Sequence, residues 1–312
     1  MSRVAGIDCG TNSIRLLVAD LPAGGGAAGA ELTELHREMR VVRLGEGVDR
    51  TGQLAPPALA RTRAALVDYA EIIGKFGVGR VRMVATSATR DAANAEDFQA
   101  MVREVLGTEP EVITGLAEAQ LSFVGAAAGL PPLPDPVLVA DIGGGSTELV
   151  LGSMAEREVL AAHSMDVGCV RMTERHLRGD PPAPAEIQAT LADLTAALER
   201  AAADVPLADA RSFVGVAGTV TTIVAIARGL PVYDPVAIHG SVVGYPAVAE
   251  VTDRLLGMTR EQRAALPVMH PGRADVIGGG ALVLRTVMEF AGLAEVIASE
   301  QDILDGLALS LG

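Results

Sequence analysis

Apolar residues in this chain fall into short runs broken by glycine, and two of those breaks carry the same phrase. The run Val4–Ile7 leads into Asp8-Cys9-Gly10-Thr11-Asn12-Ser13, and a second run, Ile14–Ala19, follows. The run Val137–Ala140 leads into Asp141-Ile142-Gly143-Gly144-Gly145-Ser146, and after Thr147 and Glu148 comes Leu149–Leu151. In both copies a serine stands five residues after the aspartate. A short apolar run with glycine at its edge predicts strand, tight turn, strand. Each half of the chain therefore opens on a β-hairpin.

The rest of the pattern fills in around these hairpins. Strand character continues over Leu32–Leu44, after a Gly/Ala-rich loop at Pro22–Ala30 expected to be exposed. Pro56-Pro57 opens a helix on which Leu59, Leu66, Tyr69 and Ile73 recur at helical spacing. Val81–Ala85 reads as a buried strand, Asp91–Leu106 as a helix, Glu111–Ile113 as a strand and Glu118–Ala128 as a helix. The proline-rich stretch Leu130–Pro136 is the candidate domain link. Beyond it come the second hairpin, a strand at Val159–Met165, an alanine-rich helix at Ala183–Ala203 and a strand at Phe213–Val216. Helices then run to Ala291, with a strand at Glu295–Ala298 and a last helix at Asp302–Leu311. Strands followed by helices in each half give α/β architecture with mixed sheets. The expected domains are 1–129 and 130–312, with the helix at 302–311 able to pack back on the first.

Composition narrows the class. The chain has 312 residues, half of them apolar, and a net charge of −14. That charge argues against nonspecific nucleic-acid binding, which needs a basic surface to neutralise phosphates. Lys75 is the sole lysine, so the cations are almost all arginine. This reads either as a genomic bias or as a preference for bidentate phosphate recognition. Cys9 and Cys169 lack metal-ligand spacing and suit a reduced, cytoplasmic protein. The most apolar stretch, Phe213–Ala227, is interrupted by Gly215, Gly218 and threonines, and it is too short to span a bilayer.

The chemistry is concentrated in the turns. Backbone N–H groups in a glycine turn can converge on a phosphate, because glycine takes φ values that other residues avoid. An aspartate at the strand end can hold a hydrated Mg²⁺, or another hard divalent cation, against the same phosphate. Two such loops, Gly10–Ser13 and Gly143–Ser146, imply two similar domains gripping one phosphate-bearing ligand. A third, Gly218-Thr219, reads either as a capped helix N-terminus or as a further phosphate site. Thr86-Ser87-Ala88-Thr89-Arg90 lies at a strand's carboxyl end, where α/β sheets bind ligands. Its other reading is a helix cap and a surface arginine. Glu118 falls in the first turn of a helix, where the macrodipole favours its charge. Arg37, Arg40, Arg43 and Arg50 read as a polyanion groove or as ordinary surface charges, and Arg273 as a structural ion pair or a ligand group. Gly278-Gly279-Gly280 reads as a packing face.

Taken together, the stretches Ile7–Ser13, Ala85–Arg90, Ile113–Ala119, Asp141–Glu148, Gly215–Thr219 and Pro271–Asp275 resemble the exopolyphosphatase / guanosine pentaphosphate phosphohydrolase (Ppx/GppA) family of the actin-like ATPase superfamily. The resemblance spans nearly the whole chain and matches the short, two-domain members. It implies duplicated actin-like (ribonuclease H-like) α/β domains with mixed sheets and a cleft between them. It also implies hydrolysis of a terminal phosphoanhydride in inorganic polyphosphate or a phosphorylated guanosine nucleotide, with Mg²⁺ as cofactor and a homodimer as a common state. By resemblance Glu118 is the base that activates water and Arg90 a phosphate ligand. Asp141 and Glu148, with Asp8, are the acids for Mg²⁺. Gly10, Thr11, Asn12 and Ser13, then Gly143, Gly144, Gly145 and Ser146, then Gly218 and Thr219, are the phosphate-binding residues. One departure stands out. Members commonly carry an acid before the catalytic glutamate and an arginine two residues after it, and this chain has Ala117 and Gln120.

Overall fold

The computed structural model describes residues 2–22 and 32–312, so the Gly/Ala-rich loop expected at 22–30 lies almost entirely outside the described residues. The chain forms two compact units. The first takes the described residues up to Ala128 together with Asp302–Gly312, and the second is Gly129–Gln301.

Each unit is built on a mixed sheet of the same plan. In the first, β1 (Ser2–Cys9) pairs antiparallel with β2 (Ser13–Leu21), and β2 pairs antiparallel with β3 (Thr33–Val41). On its other side β1 runs parallel to β4 (Arg80–Ala85), and β4 runs parallel to β5 (Glu111–Val112). The second unit repeats this with β6 (Val137–Ile142), β7 (Thr147–Ser153) and β8 (Glu158–Met165) as the antiparallel part. There β9 (Ser212–Val216) and β11 (Glu295–Ala298) are the parallel part. A short strand, β10 (Val242–Gly244), adds an antiparallel edge to β11 within the region expected to be helical. This is the duplicated α/β fold that the two hairpins imply.

Strand periodicity distributes the first core over two faces. Ile7, Cys9, Ile14, Leu16 and Val18 pack with Leu66 and Tyr69 of the helix Pro56–Phe76 and with Phe98 and Val102 of the helix Ala95–Leu106. Val4, Leu17, Ala19 and Leu21 point the other way, onto Leu304 and Ala308 of the C-terminal helix Ile303–Leu309. Burying both faces explains why β1 and β2 read as continuous apolar runs. In the second unit Leu138, Ala140, Ile142, Leu149 and Leu151 share one core with the helices Pro184–Ala201, Ala217–Ala227 and Ile277–Ala291.

Two expected elements differ in extent for identifiable reasons. The strand expected to reach Leu44 stops at Val41, because the N–H groups of Val42 and Arg43 turn to the carbonyl of Asn12 (3.1 and 2.9 Å). Arg43 takes a positive φ of 51° there. The helix expected over Asp91–Leu106 begins only at Ala95, and a separate short helix, Ser87–Asp91, precedes it. Asn94 sits in the break and exchanges two hydrogen bonds with the backbone of Leu54, at 2.8 and 3.1 Å. The glycines at 278–280 lie inside the helix Ile277–Ala291, where close packing requires Gly279 and Gly280. A Cβ on Gly279 would approach Thr173 Oγ1 to 2.7 Å, and one on Gly280 would approach Thr219 Oγ1 to 2.9 Å.

Candidate active site

The glycine turn of each unit closes in the same way. Gly10 N–H donates to Ser13 O at 3.0 Å, and Gly143 N–H to Ser146 O at 3.1 Å. None of Gly10, Gly143, Gly144 or Gly145 has a positive φ, so the conformational reason expected for glycine does not hold at these positions. A second segment packs against each turn.

That segment follows the third strand of each unit and occupies the turn's carbonyl groups. In the first unit Val42 and Arg43 donate to Asn12 O, and Gly45 donates to Thr11 O at 2.8 Å. In the second, Cys169 donates to Gly143 O at 2.9 Å, Val170 and Arg171 donate to Gly144 O, and Arg171 Nε donates to Gly145 O at 2.6 Å. The carbonyls are thus committed to the backing segment. The N–H groups of Thr11, Asn12, Gly144 and Gly145 make no hydrogen bond to backbone among the described residues. Such N–H groups suit an anion. Each backing segment also carries a glycine at the point of closest approach. A Cβ on Gly45 would overlap Thr11, and one on Gly168 would lie 2.5 Å from Gly144 O. Neither segment was anticipated. The only available signal was a repeated glycine shortly after the third strand.

Arg90 and Glu118 come together in the first unit. Arg90 lies in the last turn of the helix Ser87–Asp91, Glu118 lies in the first turn of the helix Gly115–Gly129, and Nη1 meets Oε2 at 3.2 Å. The same Nη1 donates to Ile113 O at 2.9 Å. Glu118 is 8% exposed. Thr114 Oγ1 accepts from Ala117 N–H and steadies the turn that presents Glu118. Ser87 joins this region to the first glycine turn through Thr11 Oγ1 at 2.8 Å. The departure at Ala117 and Gln120 leaves this pair intact.

The acids expected to serve a metal differ between the units. Asp8 is buried and is the register partner of Arg15, whose Nε and Nη2 both bind its Oδ2, at 3.0 and 2.7 Å. Burial pushes the Asp8 carboxyl above the usual range, with Arg15 opposing the shift. Asp8 Oδ1 is buried with no hydrogen-bond partner among the described residues. In the second unit Asp141 is the register partner of Glu148. Both are buried, and Glu148 Oε1 accepts from Ser164 at 2.7 Å. Among the described residues no group of three or more His, Cys, Asp or Glu side chains could hold a metal, so Asp8, Asp141 and Glu148 do not form a protein-only cage. The Asp141–Glu148 pair still fits a hard cation. Mg²⁺ is ordinarily held by one or two carboxylates, with water and phosphate oxygens completing its shell. Like charges opposed across two strands are relieved by such an ion.

At the third turn Ala217 has a positive φ of 68°, uncommon for a residue with a Cβ, and it is followed by Gly218. The Arg273 guanidinium lies against Gly218, where a Cβ would overlap it, and makes only long contacts to Gly218 O and Thr222 Oγ1, 3.4 and 3.5 Å. The ion pair considered for Arg273 is not formed among the described residues. Of the arginines considered for a groove, Arg37 pairs with Glu34 and Asp305, and Arg40 with Glu38 and Asp68. Both are therefore neutralised. Among the described residues no helix is long and apolar enough to cross a membrane, and Cys9 and Cys169 are free and buried.

Comparison with known proteins places this architecture. The exopolyphosphatase 2 of Mycobacterium tuberculosis is 54% identical over 320 residues, covering 100% of this chain and 99% of the relative. The crystal structure of an exopolyphosphatase-like protein superposes with a TM-score of 0.94 at 43% identity, covering 100% of this chain and 98% of the other. That of the Aquifex aeolicus Ppx/GppA family member superposes with a TM-score of 0.80 at 31% identity, covering 99% and 97%. The Ppx/GppA phosphatase profile matches residues 23–311, and the chain belongs to that family.

Proposed function

We propose that this chain is an exopolyphosphatase that hydrolyses the terminal phosphoanhydride of inorganic polyphosphate, with Glu118 as the base for the attacking water. The observation that carries the reading is the Arg90–Glu118 pair, a buried carboxylate and a guanidinium in one unit with an amide-lined glycine turn. The 54% identity to a protein named exopolyphosphatase 2 supports the substrate class.

Phosphoryl transfer asks mainly for positioning and charge neutralisation. The N–H groups of Thr11 and Asn12 in the first glycine turn and the Arg90 guanidinium of the same unit bind the non-bridging oxygens, where charge is spread in the transition state. Arg90 Nη1 is tethered to Ile113 O, which fixes the plane of the guanidinium. As the water oxygen bonds to the terminal phosphorus, its proton passes to Glu118 and the bridging P–O bond breaks. The bridging oxygen leaves on the shortened chain as a weakly basic anion that needs no general acid. A divalent cation, Mg²⁺ in this reading, would be held by Asp141 and Glu148 and would neutralise charge on the phosphate oxygens.

The test is phosphate release from tripolyphosphate, long polyphosphate, guanosine pentaphosphate and ATP, by the native chain and by Glu118→Gln, with Mg²⁺ present. Polyphosphate should be cleaved, and Glu118→Gln should lower turnover about 10²- to 10⁴-fold. Undiminished turnover in Glu118→Gln removes the base assignment. Release from the nucleotide alone replaces polyphosphate as the substrate and leaves the part of Glu118 intact.

A further inference from the structure

Asp8 is held through one oxygen only. Arg15 places both Nε and Nη2 on Asp8 Oδ2 and turns its remaining nitrogen, Nη1, to Asp302 Oδ2. An arginine facing a carboxylate commonly binds it bidentately, one nitrogen to each oxygen. Here the third contact holds the guanidinium out of that arrangement, and Asp8 Oδ1 remains without a donor.

Asp302 is itself firmly placed. It is 4% exposed and caps the C-terminal helix, accepting from Leu304 N–H at 3.0 Å through Oδ1. Its own N–H donates to Asp305 Oδ2 at 3.0 Å, and Asp305 Oδ1 takes Arg37 Nη2 at 2.5 Å. Around it the helix packs through backbone. Gly306 lies where a Cβ would overlap Leu121 O, and Gly125 where one would overlap Asp302 O. Asp302 stands 287 residues beyond Arg15 and is delivered to the first unit only when the chain returns to it.

We propose that Asp302 is a positioning residue for the hydrolysis: by drawing Arg15 Nη1 to itself it keeps Arg15 off Asp8 Oδ1 and leaves that oxygen without a protein donor, to serve the reaction. The inference rests on the reading that Asp8 belongs to the reaction's machinery. A purely structural cap would have no need of the second oxygen of Asp302, because Oδ1 alone caps the helix. Oδ2 is committed to Arg15.

The experiment compares the full-length native chain with Asp302→Asn, Asp8→Asn, Arg15→Lys and the double variant Arg15→Lys/Asp302→Asn. Asparagine caps helices as well as aspartate, so the fold is expected to survive, as a melting curve will show. Asp302→Asn should lower kcat about 10- to 100-fold with KM little changed, and its crystal structure should show Arg15 spanning both oxygens of Asp8. A lysine cannot bridge the two carboxylates in this way, so adding Asp302→Asn to Arg15→Lys should cost less than about twofold more in kcat. Unchanged kcat in Asp302→Asn beside an inactive Asp8→Asn overturns the proposal, as do fully multiplicative losses in the double variant. An active Asp8→Asn instead removes Asp8 from the machinery. If Asp302→Asn does not fold, Asp302→Ser carries the test, since serine also caps the helix: lost kcat in a folded chain supports the proposal, and native kcat overturns it.

Discussion

Asp141 on β6 stands directly opposite Glu148 on β7, whereas the matching place in the first unit sets Asp8 opposite Arg15. The duplicated hairpin has thus diverged at a charged cross-strand pair near its glycine turn. The first copy neutralises its aspartate with an arginine. The second keeps two carboxylates, one of them fully buried.

Like charges facing each other across strands destabilise a sheet. Glu148→Gln keeps an acceptor for Ser164 and removes the repulsion. In buffer stripped of divalent ions it should therefore raise stability, on the order of 0.2–1 kcal/mol. Melts with and without MgCl₂ check this. The native chain should gain stability from Mg²⁺ and the variant should gain far less. A variant that melts lower than the native chain in EDTA would mean that the pair is not repulsive.

The backing segments give a second expectation. Gly168→Ala would drive a Cβ to 2.5 Å from Gly144 O and 2.6 Å from its carbonyl carbon, so the turn must shift. Overpacking of this kind costs typically about 1–3 kcal/mol. Because the displaced atoms belong to the proposed phosphate cradle, KM for polyphosphate should rise together with the loss of stability. Gly257→Ala is the control, since a Cβ there meets nothing within 4 Å. Steady-state kinetics on the three proteins decide the matter, and a native KM in Gly168→Ala would count against the cradle.

Much of this was legible in the sequence, for a local reason. Ile14, Leu16 and Val18 alternate with Leu17, Ala19 and Leu21, both sets are buried, and the glycine turn beside them is repeated intact. What stayed hidden depends on partners far away in the chain. Val42 and Leu44 continue the apolar pattern of β3, and only the Asn12 carbonyl, which captures two N–H groups, ends the strand. Asn94 looks like any helix residue until the backbone of Leu54 claims its amide. The pairing of Arg15 with Asp302 has no sequence signal at all. Arg90 and Glu118 were singled out by resemblance, and spacing alone would not have joined them.

Acid should loosen the segment behind the second turn. Asp193 accepts from Arg175 Nη1 at 2.7 Å and His176 Nε2 at 2.9 Å, tying the helix Cys169–Arg175 to the helix Pro184–Ala201. Burial opposes ionisation of Asp193, but its bonds to His176 and Arg175 outweigh this and hold the carboxyl below its ordinary 3.8. A carboxylate whose folded pKa is depressed contributes stability that is present above the unfolded value and lost as pH falls through the folded one. Asp193→Asn should therefore be less stable than the native chain at pH 7, and the gap should close below pH 3.8. Urea midpoints at several pH values measure it. A gap that persists at the acid end would show that the contact is not ionic in origin.

The hydroxyl pair between Thr11 and Ser87 allows the most direct test of how the first site is held in register. Both groups are buried, and they meet at 2.8 Å across the glycine turn and the helix that carries Arg90. Ser87→Ala strands the Thr11 hydroxyl without a partner, at a cost of about 1–3 kcal/mol. Removing both groups in Thr11→Val/Ser87→Ala costs less than the sum of the single changes, because no unpaired polar atom is left behind. Stability should thus recover in part in the double variant. Activity should not, since the turn and the Arg90 helix remain uncoupled. Denaturant melts beside kcat/KM on polyphosphate separate the two effects. If activity returns along with stability, the pair serves the fold alone, and the alignment of the turn with Arg90 must come from Gly45 and the segment that carries it.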